Sequence, residues 1–172
     1  ILVDDKVVYS TKEAAELNGP NKEMIIKIEP INGRMVSIVQ TGPNWEKGTN
    51  FIQIKRFEIL SDDENYSQGV FKTLIDRNKF KDPHKCPVHI TSTNFDFNKF
   101  YEIDSKCNIC SSNKENSWFQ VEFTHGLAVI TGFRLRRSSK NKLKSYKIIC
   151  TDDDKKPLHS WSTLCEIDEN DE

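Results

Sequence analysis

The feature that most constrains this chain is an alternation of apolar and polar residues at period two, repeated in short runs. In Phe51-Ile52-Gln53-Ile54-Lys55-Arg56-Phe57-Glu58-Ile59 the two kinds mostly alternate, as a strand with one buried face requires. Met24–Ile28, Met35–Val39, Val88–Ile90, Trp118–Phe123, Ile130–Arg136 and Tyr146–Cys150 read the same way. Turn formers stand between them: Asn18-Gly19-Pro20-Asn21, Asn32-Gly33, Thr41-Gly42-Pro43-Asn44 and Ser138–Asn141. Many short strands broken by such spacers predict an all-β protein, an antiparallel sandwich or barrel. Helical periodicity is weak. Lys12–Leu17 makes about one turn, and Gly69–Asn78 makes a short amphipathic helix, neither of which organises the fold.

At 172 residues the chain suits one domain or two very small ones. Its hydrophobic fraction of 36% is low, but three Trp, ten Phe and four Tyr supply large buried areas and exclude disorder as the main reading. No apolar run approaches the roughly 18–20 residues of a membrane-spanning helix. A net charge of −1 excludes the global basic field that drives nucleic-acid binding. The opening Ile1-Leu2-Val3 carries no basic and apolar leader pattern. Five cysteines form an odd set, which fits reduced thiols in the cytoplasm better than a disulfide framework.

The most polar internal stretch, residues 61–68 (Ser-Asp-Asp-Glu-Asn-Tyr-Ser-Gln), joins two strand-rich blocks, 1–60 and 69–172, and is the natural connector. Asp152-Asp153-Asp154-Lys155-Lys156 reads as a solvated hairpin loop, and Glu166–Glu172 as a frayed acidic end.

Residues 86–172 resemble the first two-thirds of a discoidin domain, the coagulation-factor type C module with a galactose-binding-like jelly roll. The resemblance rests on Val88-His89-Ile90-Thr91-Ser92, Asn116–Phe123 and Leu143–Ile148, followed by Trp161 and Leu164. The lead-in Gly69–Leu74 looks like the segment preceding such domains in intracellular protist proteins, where a BTB-type adaptor region often comes first. Residues 13–60 resemble the last third of the same module, through Leu17–Asn21, Ile38–Trp45 and Phe51–Ile59. The order is reversed. A circular permutant completing one composite sandwich from both blocks fits this order, and so does a window cut across two tandem domains. Termini of this kind of jelly roll lie close together, which favours the permutant. It requires strands within Met35–Ile59 to pair with strands within Trp118–Cys150.

The resemblance implies a ligand site at loops on one end of the sandwich and no catalytic residues. Carried over position by position, the first tip is Asn94–Phe100, with Phe95, Phe97, Lys99 and Phe100 as candidate binding residues. The second is Arg136–Lys142, with Arg137 and Lys140, and the third is Asn18–Lys22, with Asn21 and Lys22. Aromatic anchors beside cations suit a binding hot spot; the plainer reading has Phe95, Phe97 and Phe100 plugging the barrel end. Arg134 and Arg136 alternate with Phe133 and Leu135, which places them on an outer face paired with acids. Only Glu102 and Asp104 stand near the family's calcium loop, so no calcium site is expected. Cys86, His89, Cys107 and Cys110 offer four soft ligands in two pairs of zinc-like spacing. Against them, His89 falls in a strand, where residues three apart face opposite ways. The expectation is no metal and no cofactor. These readings converge on a non-catalytic module that binds protein partners, with no nucleic acid and no membrane. The alternatives are an architectural subunit of a cytoskeletal or axonemal assembly, and a carbohydrate-binding domain.

Overall fold

The computed structural model describes residues 2–3, 6–7, 23–44, 46, 48–78, 87–93, 109–110, 114–137 and 143–168. Eleven strands are seen among these: β1 (Leu2–Val3), β2 (Lys6–Val7), β3 (Glu23–Gly33), β4 (Met35–Gln40), β5 (Gln53–Leu60), β6 (Val88–Ser92), β7 (Ile109–Cys110), β8 (Trp118–Phe123), β9 (Ala128–Arg137), β10 (Ser145–Thr151) and β11 (Ser162–Asp168). One α-helix, α1 (Val70–Asn78), joins them. The fold is all-β in class, a jelly-roll-like sandwich of two antiparallel sheets. One sheet has the order β11-β10-β4-β8-β6 and the other β3-β9-β5-β7, while β1 and β2 pair as a separate ribbon.

Period-two alternation becomes burial directly. In β8, Phe119, Val121 and Phe123 are buried while Trp118, Gln120 and Glu122 are only partly covered. Between the layers lie Ile26, Ile38, Phe57, Ile59, Phe119, Phe133, Tyr146 and Ile148 in one continuous core. Each such side chain contributes on the order of 1.5–3 kcal/mol through burial. Cys150 and Cys165 are free thiols inside this core, and burial pushes both up to about 12.

The two blocks flanking the acidic connector interleave. β4 lies between β10 and β8, with Ile38 opposite Ile148 on one side and Phe119 on the other. β5 pairs with β9, Phe57 opposite Leu135 and Ile59 opposite Phe133. β3 covers the far side of β9, with a bulge between Lys27 and Ile31 that accommodates Pro30, a residue with no N–H for a ladder.

Three features depart from the sequence expectations. The strand around Met24–Ile28 continues through Asn32-Gly33, so the turn to β4 is made at Arg34. The acidic end is not frayed from Glu166: β11 continues to Asp168, with Ile167 buried and Asp168 Oδ1 accepting from Ser145 Oγ at 2.7 Å. The helix expected to be peripheral is built into the core. Val70 and Phe71 of α1 are buried, and the Phe71 ring lies 6.0 Å from Phe57 and 5.8 Å from Phe123. Lys12–Leu17 lies outside the described residues.

Candidate functional site

Register places the stems of the three sequence-identified loops at one end of the sandwich. Glu23, which follows the third loop, pairs with Arg136 at the edge of the second. Ser92, which leads to the first, sits opposite Phe119 near the same end of the five-stranded sheet. Glu23 Oε1 lies 3.1 Å from Arg134 Nε, and its Oε2 lies 3.5 Å from an Arg56 nitrogen, so one carboxylate ties β3, β9 and β5 together on the outer face. The β4–β5 loop at this end is held from inside. Gln40 Nε2 donates to Gly42 O at 2.8 Å and to Asn44 Oδ1 at 3.2 Å, and buried Asn44 donates to Phe51 O at 2.8 Å. Of the candidate binding residues, Asn21, Lys22, Phe95, Phe97, Lys99, Phe100 and Lys140 lie outside the described residues, and Arg137 is described as the last residue of β9.

Of the four soft ligands, Cys86 and Cys107 lie outside the described residues, and Cys110 belongs to β7 in the four-stranded sheet. His89 is exposed on β6 of the other sheet, its Nδ1 3.8 Å from Glu122 Oε2. Glu122 also faces Arg34, whose guanidinium lies 3.2 Å from it and 3.7 Å from Asp154. Among the described residues no group of three or more His, Cys, Asp or Glu is arranged to hold a metal.

A cavity of about 460 Å³ opens at the opposite end, within the range of ~300–1,000 Å³ usual for binding pockets. Its described walls come from Ser61, Asp62, Asp63 and Tyr66 of the connector, from Val70 and Leu74 of α1, from the β8–β9 turn and β9 with Phe123, His125, Leu127 and Val129, and from Pro30 of β3 and Pro87 ahead of β6. The acidic connector is therefore not a bare linker. Asp63 caps a 3-10 turn at Glu64–Tyr66, its Oδ1 accepting from Asn65 N at 2.8 Å, and Gly69 N donates to Tyr66 O at 2.7 Å.

The wall is fixed from beneath by Glu58. This carboxylate is fully buried on β5 and accepts backbone N–H groups from Phe71 at 2.7 Å, Lys72 at 3.0 Å and Ile59 at 3.1 Å. It satisfies orphan donors in the first turn of α1 and meets the positive end of the helix. Burial pushes its pKa up to about 7, against the opposing pull of those N–H groups and Arg56. Gly69 makes the approach geometrically feasible. Its φ is +109°, which L side chains rarely adopt, and a Cβ there would collide with the Glu58 carboxyl.

Sequence reasoning missed this site. Two signals for it were present: acids at 62 and 63 directly before an amphipathic segment, and the apolar pair Leu127 and Val129, which is about half exposed. The acids read as connector, and Leu127 and Val129 fall just ahead of the strand expected at Ile130–Arg136. No protein-family model matches the chain, and no curated protein or solved structure shows significant similarity to it.

Proposed function

We propose that the chain is a non-catalytic recognition module that binds protein partners through an end of its sandwich, and that it is a discoidin-like jelly roll with the closing strands first in sequence. The observation that carries this reading is the insertion of β4 between β8 and β10, with β5 beside β9, so that loop stems at Glu23, Ser92 and Arg137 project from a rigid two-layer frame. Rigid sheets presenting variable tips are a common way to build a binding surface. Reduced, deeply buried Cys150 and Cys165 fit action inside the cell. Among the described residues no helix is long and apolar enough to cross a membrane.

End-on recognition is favoured over an architectural face by where the exposed large apolar side chains fall. Ile25 is on β3, Leu127 and Val129 are at the cavity, and Leu158 is in the β10–β11 loop, with no strip running along a sheet among the described residues. The test is to purify partners with the native full-length protein, then measure binding and thermal midpoint for Phe97→Ala and Lys140→Ala. Lost binding with a nearly unchanged midpoint is expected. Unfolding of both variants would assign these residues to the core and overturn the reading.

A further inference from the structure

In the four-stranded sheet the β5 ladder alongside β9 ends at Leu60 opposite Gly132. Beyond that pair the connector turns away into its 3-10 turn, while β9 runs back to Ala128 with β3 still on its other side. Residues 128–131 of β9 thus have no strand beside them on the β5 side among the described residues. In an antiparallel ladder every second residue directs both its N–H and C=O to one side, so this stretch offers unladdered backbone groups to the space where β5 would have continued. That space is the cavity. Leu127 and Val129, 56% and 50% exposed, give it an apolar wall, and Asp62 and Asp63 give it an acidic rim. No Lys or Arg is among the described lining residues.

We propose that the cavity receives an extended segment of a partner protein, which adds a short strand beside Ala128–Thr131, lays an apolar side chain against Leu127 and Val129, and sets a Lys or Arg against Asp62 and Asp63. This rests on the recognition reading above and names the kind of partner. Strand addition uses main-chain hydrogen bonds for affinity and alternate side chains for specificity. The acidic rim selects a basic residue and makes binding weaken with salt.

The test is selection of random twelve-residue peptides displayed on phage, against the wild-type protein, the Asp62→Lys/Leu127→Asp double variant and the Phe97→Ala/Lys140→Ala double variant. Circular dichroism first establishes that each is folded. Wild type is expected to enrich peptides with alternating apolar residues and at least one Lys or Arg. An enriched peptide made synthetically should shift the amide resonances of residues 62–66 and 128–131, and should bind the cavity variant about tenfold or more weakly. Should the cavity variant not fold, Asp62→Asn alone with a salt titration replaces it, and a salt-independent affinity counts against the site. Peptides that bind the cavity variant equally but lose Phe97→Ala/Lys140→Ala overturn this site and leave end-on recognition standing. Enrichment of nothing by wild type overturns both.

Discussion

Glu58 is the residue on which the cavity end of the molecule turns, because one carboxylate joins β5 to the first turn of α1. Glu58→Gln keeps the volume but turns an NH2 group toward backbone donors, which should cost about 1–3 kcal/mol in chemical denaturation. The charge state has its own signature. A Glu in the unfolded chain releases its proton near 4.5, whereas the folded one holds it to about 7, so between those values the folded state binds more protons. Its contribution to stability is full below about 4.5 and is lost as pH rises through 7. The thermal midpoint of wild type should therefore fall relative to Glu58→Gln between pH 5 and 8; parallel curves would disprove the assignment. Gly69→Ala should destabilise by roughly 1–3 kcal/mol, from an unfavourable φ and the collision with Glu58. Glu58 stands at an outward position in the alternation of its strand. The sequence pattern reads Phe57-Glu58-Ile59 as in-out-in, yet all three are buried, because a helix lies over the position that alternation assigns to solvent.

Elements differ in how far local sequence specifies them. The long strands are legible because alternation and burial coincide in them: β8 and the first half of β3 follow the pattern residue by residue. α1 is legible as a helix but not in its role. A nine-residue helix is marginal alone, and what stabilises it, the Glu58 cap and the packing of Phe71 between Phe57 and Phe123, comes from β5 and β8. Neither contact has a sequence signature. Phe71→Ala should cost about 3–5 kcal/mol, as truncation of a fully buried ring does, and amide exchange of α1 should quicken with it. A change under 1 kcal/mol would show that the helix merely lies on the sandwich. The same divergence of β5 from β9 that makes room for α1 leaves residues 128–131 with no strand on one side among the described residues, so the site too is a product of tertiary placement rather than motif.

At the scale of the whole molecule, both sheets draw strands from both sides of the connector. Residues 1–60 and 69–172 made separately should each lack the dispersed amide spectrum of a folded protein and should recover it on mixing. A folded 1–60 fragment would refute the interdependence. The two strand-rich blocks on either side of the connector were legible in the alternation, but which strand neighbours which was not, because register is set by partners far along the chain. That separation bears on how the protein is made. β4 leaves the ribosome about 80 residues ahead of β8, the earlier of its two neighbours to be synthesised, and at ~5–20 residues per second its wait lasts several seconds. For that interval Val36 and Ile38 belong to a nascent chain that lacks both strands flanking β4, so biogenesis of this protein should depend on a chaperone that holds the early half until the later half arrives.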